Sequence, residues 1–155
     1  MTTQQLIAAL AKAVEDGNGA ALASLFTEDG VYHDVYYGAF EGKKRIAELA
    51  DEWIYRNARD GRWEMFDAVS DGRNLYVYYT WSYVSTLPEA KGKRVGFEGV
   101  GKIRLKDGLI AEYREIANTG PALVDMGFAP ERVVKILARQ GEALRARPEY
   151  ARHLT

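Results

Sequence analysis

"RVGFEGVGKIRLKDGLIAEYREIAN", residues 94–118, reads as two strands joined by a tight turn. Asp107-Gly108 sits between them, and glycine tolerates the positive φ that a hairpin turn requires. Successive strand residues point to opposite faces. Val95, Phe97, Ile103 and Leu105 therefore share an apolar face with Gly99 and Gly101, while Glu98, Lys102 and Arg104 make a solvated one. In the second strand Ala111, Tyr113, Glu115 and Ala117 share a face, opposite Glu112, Arg114 and Ile116. If that first set faces a pocket, Glu115 is a carboxylate in apolar and aromatic surroundings.

Upstream, "WEMFDAVS" (63–70) and "NLYVYYTWSYVST" (74–86) are two more strands around an Asp71-Gly72 turn, and the loop "LPEAKGK" (87–93) leads into the quoted hairpin. "VYHDVYY" (31–37) is a strand by its β-branched and aromatic content. Before it, a helix starts near Thr2, with Gln5 completing a capping box and Leu6, Ile7, Leu10 and Val14 at helical spacing. "DGNG" (16–19) breaks it from a short helix carrying Leu22, Leu25 and Phe26. A third helix is expected from Gly42, with Ile46, Leu49, Ala50, Trp53 and Asn57 on one face. A short helical segment follows Pro121, and a last helix begins at Pro130, a favoured first helical position. Helices, then long antiparallel strands, then terminal helices describe an α+β domain with a curved sheet covered on one face.

The 155 residues suit one domain: 1–128 as its body, and 129–155 as a C-terminal helix and tail packed on it. At 47% hydrophobic, 28% charged and a net charge of −1, the composition argues against a nucleic-acid footprint. No apolar run is long enough to span a bilayer, and no export signal opens the chain, so a cytoplasmic protein with no membrane contact is expected. The absence of cysteine excludes disulfides and thiolate chemistry. Residues 75–83 are apolar or aromatic at nearly every position, and a strand apolar on both faces needs cover on both. A homodimer through the outer sheet face supplies it; a position under the C-terminal helix is the alternative.

The order and spacing of "GNGAALASLFTEDGVYHD", "GAFEGKKRI" and "RLKDGLIAEYREI" resemble the nuclear transport factor 2-like superfamily, in particular its SnoaL-like branch, over roughly residues 5–127. The resemblance implies a cone-shaped α+β barrel. Its curved, mixed but mainly antiparallel sheet would be closed at one end by the N-terminal helices around an apolar pocket, and dimers packed through the sheets are frequent. "VYHD" and "AEYREI" look like the "YHN" and "WRDY" stretches of limonene epoxide hydrolase-like enzymes. By that likeness Tyr32 and Asp34 match water-holding residues, Glu115 matches the general base, and Tyr113 matches a cavity-lining tryptophan. Those hydrolases also carry an Arg–Asp pair on a middle strand. "NLYVYYTWSYVST" has neither residue, so epoxide hydrolysis by their mechanism is not expected.

The candidate catalytic residues are therefore Glu115 and Asp34: a desolvated base whose pKa burial raises, and a second acid coupled to it. Tyr32 and Tyr113 are the candidate positioning donors. Phe97, Gly99 and, from the third helix, Trp53 complete the expected substrate-binding set. Gly99 and Gly101 either make room for a ligand or let the sheet coil, and inside a strand they are no dinucleotide fingerprint. Each candidate also has a plainer role: Glu115 as a paired surface carboxylate, the tyrosines as half-buried core, Asp34 as a strand-end residue bonding to the following turn. His33 alternates out of phase with Tyr32 and Asp34 and should face away from the pocket; no metal is expected. The basic amphipathic run "ERVVKILARQGEALRARPEYARH" (131–153) is a lid on the cone mouth or a further dimer contact.

Together these features lead to a cofactor-independent isomerase, cyclase or hydrolase acting on a small apolar metabolite. A non-catalytic apolar-ligand-binding module and a dimeric docking domain with a filled core are the alternatives.

Overall fold

The two Asp-Gly turns close hairpins, Asp107 and Gly108 with φ of 52° and 78°, and Gly72 with 88°. In the computed structural model, which describes residues 1–155, helix α1 (Thr3–Glu15) opens with the Thr2/Gln5 capping box formed in both directions. Helix α2 (Gly19–Ser24) and strands β1 (Phe26–Asp34) and β2 (Gly38–Glu41) follow, then helix α3 (Gly42–Glu48) running into a π-helical turn, Leu49–Trp53. The long strands are β3 (Ala58–Ser70), β4 (Asn74–Ser85), β5 (Arg94–Lys106) and β6 (Leu109–Asn118). Helices α4 (Gly120–Asp125) and α5 (Pro130–Arg145) and a 3-10 segment, Pro148–Leu154, end the chain.

The six strands form one curled, unclosed sheet in the order β2-β1-β6-β5-β4-β3. β1 and β6 are parallel; every other neighbouring pair is antiparallel. The fold is thus the α+β cone that the strand pattern and the family resemblance imply. On its concave side α1 buries Leu6, Ile7, Leu10, Ala13 and Val14 in one core with Trp63, Leu75, Val77, Tyr79, Ile103 and Tyr113 from the sheet. Glu15 fixes the angle of α1 by accepting a hydrogen bond from the Trp63 backbone N–H at 2.6 Å.

Three expectations are corrected and one strand is added. "VYHDVYY" is not strand to its end: Asp34 Oδ1 accepts the backbone N–H of both Tyr36 and Tyr37, at 2.8 Å each, and this turns the chain before Gly38. α3 begins at Gly42 as expected, and "GAFE" before it forms an edge strand, β2, that the sequence reading left unassigned, paired with β1. β3 begins at Ala58, ahead of "WEMFDAVS", because a bulge with Asp60 at φ 53° carries pairing through "ARDG". β4 does alternate: Leu75, Val77 and Tyr79 are buried inside, while Tyr76 and Tyr78 stand exposed outside. Tyrosine hid this alternation, being apolar in body and polar at its tip.

Candidate active site

On the concave side of the sheet lies a cavity of about 740 Å3, open to solvent at one end and within the usual range for small-molecule sites. Its walls are Trp63, Trp81, Tyr83, Phe97, Met126 and Phe128, with Ile54 and Asn57 following α3 and Leu123 from α4. Two acids reach it from the sheet, Glu115 and Asp34.

The parallel pairing of β1 with β6 brings those acids together. Tyr32 lies opposite Tyr113, with ring centroids 4.5 Å apart. Two residues further along each strand come Asp34 and Glu115, on the same face. Glu115 Oε1 accepts a hydrogen bond from the Tyr32 hydroxyl at 3.2 Å, and its Oε2 accepts the Val35 backbone N–H at 3.1 Å. The turn after β1 thus offers three successive backbone N–H groups, one to Glu115 and two to Asp34.

Those bonds favour the ionised carboxylates, but burial opposes them and prevails. The Glu115 carboxyl is pushed up to about 8, first by burial and then by the negative charge of Asp34. Burial raises Asp34 as well, against its two backbone bonds. The negative charge of Asp34 thus adds to burial in keeping a proton on Glu115 near neutral pH. The Tyr32 hydroxyl is raised far above its ordinary value by burial, so it stays a donor throughout.

Of the residues expected to bind substrate, Tyr32 and Phe97 line the cavity. Tyr113 does not: it lies fully buried beneath the floor, stacked under Tyr32 and edge-on to Trp63. Nor does Trp53, which packs edge-on against Tyr37 and Phe40 with the Arg56 guanidinium 4.2 Å over its ring. The π-helical turn is the reason, since its wider turn breaks the 3.6-residue spacing that aligned Trp53 with Ile46. Gly99 faces inward, but Tyr79 fills the space there. A Cβ at Gly99 would stand 2.7 Å from the Tyr79 ring and hydroxyl and 2.8 Å from the Ile116 carbonyl. Gly99→Ala should therefore cost about 1–3 kcal/mol, read from urea unfolding. An unchanged urea midpoint would leave the position free for a ligand.

His33 lies outside, as its parity requires, with Nε2 3.3 Å from Glu112 and 3.1 Å from Arg114. No three His, Asp or Glu side chains gather closely enough to hold a metal ion. Sequence reasoning missed Trp81 and Tyr83, although Trp81 sits directly opposite Phe97 in the hairpin register and so shares its face. It also missed the charged edge of α5, where Glu131, Arg132, Lys135 and Arg139 line the opening. Only α5's orientation places them there, and the sequence does not encode that locally.

The SnoaL-like domain family matches residues 7–113. A search of curated proteins finds no match. Among solved structures, a protein from Catenulispora acidiphila with a ketosteroid isomerase-like fold, in complex with trimethylamine, is 18% identical. It covers 84% of this chain and 98% of its own, with a TM-score of 0.74. A putative polyketide cyclase from Xanthomonas campestris is 19% identical over 79% of this chain and 95% of its own, with a TM-score of 0.64. The Δ5-3-ketosteroid isomerase from Mycobacterium sp. is 19% identical over 76% and 94%, with a TM-score of 0.61. At these identities the likeness shows the fold.

Proposed function

The chain belongs to the SnoaL-like domain family, and from that premise we propose that it is a cofactor-independent enzyme moving a proton on a small, largely apolar, carbonyl-bearing metabolite. One observation carries this: a half-buried, hydrogen-bonded carboxyl, Glu115, on the inner wall of an apolar cavity beside a second acid. Such a group in such a place is what general base catalysis needs. Glu115 removes the proton alpha to the carbonyl, Asp34 tunes it by charge, and the Tyr32 hydroxyl holds it in line. No acid or arginine of β4 lines the cavity, which speaks against an Arg–Asp-assisted epoxide opening.

Deuterium exchange tests this without knowledge of the product. Cyclic enolisable ketones such as 2-tetralone and cyclohexenone, incubated with the protein in D2O, should gain deuterium at the alpha carbon above the buffer rate. Binding without exchange across such a panel would leave an apolar-ligand-binding module. A cavity of this size speaks against a filled-core docking domain.

The partner we propose is a second copy of the chain, on the convex sheet face. Phe66, Tyr78, Val100 and Ile116 stand directly opposite one another across β3 to β6. Phe66 and Ile116 are 43% and 51% exposed, and the Phe66 and Tyr78 rings pack at 5.9 Å. A contiguous apolar row of this kind marks an association surface. Sedimentation velocity should show a dimer that Phe66→Arg with Ile116→Arg converts to monomer; a monomeric parent protein would end the proposal.

A further inference from the structure

Helix α5 is turned the wrong way for a plain cover. An amphipathic helix that only sealed an apolar cavity would lay its whole apolar stripe on it. Here Val133 and Ile136 pack against the small cluster of Leu123 and Met126, but Val134 and Leu137 face water at 66% and 40% exposure. The edge that meets the cavity carries Ile136 and a mostly basic set of charges: Arg132, Lys135 and Arg139, at spacings of three and four residues, beside Glu131. These three are the only cations that line the cavity. Arg132 is held by Glu89 at 3.1 Å and by stacking over Phe128 at 3.7 Å. Lys135 and Arg139 make no ion pair and no side-chain hydrogen bond.

We propose that this edge receives the anionic end of the substrate, so that the cavity takes an organic acid: an apolar body carrying one carboxylate or phosphate monoester remote from the reacting carbonyl. The inference rests on the enzymatic reading of the same cavity and adds the substrate's class and direction of entry. Charge sets that direction. The two carboxyls at the inner end, Asp34 and Glu115, disfavour an anion there, while Lys135 and Arg139 attract it at the mouth. The carbonyl end is thereby delivered to Glu115. Glu131 at the mouth and Glu89 on Arg132 offset two of the three cations, which leaves one net positive charge there.

Two fluorescent probes of one shape test this, 8-anilinonaphthalene-1-sulfonate and the uncharged N-phenyl-1-naphthylamine. The sulfonate should bind at least about fivefold more tightly at low salt, as two exposed cations provide. That preference should shrink as salt is raised. Lys135→Gln with Arg139→Gln should abolish the preference while leaving the uncharged probe's affinity in place. The charge-reversed pair Lys135→Glu and Arg139→Glu should invert it; both sites are exposed, so neither change burdens folding. Displacement of the sulfonate by octanoate or by octyl phosphate tells which anion the site takes. Equal affinities in the parent protein, a preference that survives both double variants, or displacement by neither octyl anion overturns the proposal. Binding of the uncharged probe alone would leave the enzymatic reading standing, whereas binding of neither probe removes the cavity as a site and both readings with it.

Discussion

Replacing Glu115 by glutamine is expected to lower alpha-proton exchange at least about a hundredfold, the scale of a lost general base. The substitution is nearly isosteric, and the glutamine carbonyl still accepts the Tyr32 hydroxyl bond now made by Oε1. What disappears is the site for the proton. In the parent protein only ionised Glu115 can accept it, so the rate at low substrate should climb with pH and level off above about 8. Asp34→Asn should keep the turn, since the asparagine oxygen can still accept from the Tyr36 and Tyr37 N–H groups. It removes the negative charge that adds to burial in raising Glu115, so the midpoint should move to lower pH. A midpoint that ignores Asp34→Asn would show that the two acids titrate separately. A Glu115→Gln protein of full activity would remove Glu115 from the chemistry.

Strand parity told which face each residue takes, but not how deep it lies. Tyr113 and Glu115 share the inner face of β6, as alternation requires. Yet Tyr113 is sealed beneath Tyr32 and Trp63, while Glu115, two residues on, reaches the cavity. Depth depends on the rings stacked above, and those come from β1, β3 and β4. Gly99 fails for the same reason: its face was legible, but the Tyr79 ring that occupies its space belongs to the neighbouring strand. Local chemistry was read well where it was complete within a few residues, as at the Thr2 cap and the Asp-Gly turns. Asp34 shows a residue holding two roles at once, capping the turn through Oδ1 while facing the cavity. The charged mouth was illegible because it depends on how α5 docks. Its stripe of Val133, Ile136, Leu137 and Leu144 is divided between the cluster and water, which spacing alone does not reveal.

Stability should fall as pH rises through the neutral range, and Glu115 is the reason. Its carboxyl titrates near 8 in the folded chain and near 4.5 in the unfolded one. Between those values the folded state holds a proton that the unfolded state has released. Raising the pH therefore favours unfolding, with a limiting slope of about 1.4 kcal/mol per pH unit for one group. The stabilisation is fully present below 4.5 and lost once the pH passes about 8. His33 works in the opposite sense, because burial and Arg114 lower it and protonation below its unfolded value of 6.5 favours unfolding. Urea midpoints taken between pH 7 and 8.5 escape that contribution. There the parent protein should lose on the order of 1 kcal/mol, and Glu115→Gln should be nearly flat. The variant gives up the bond from the Val35 N–H, which costs about 1–2 kcal/mol at every pH. By pH 8.5 it no longer carries a buried charge beside Asp34, and that relief, on the order of a few kcal/mol, outweighs the lost bond. A protein that becomes more stable in alkali when it loses Glu115, while also losing turnover, is keeping that carboxyl for chemistry rather than for folding. A variant less stable than the parent at both ends of the range, with the parent's slope intact, would make Glu115 a structural anchor of the β1 turn instead.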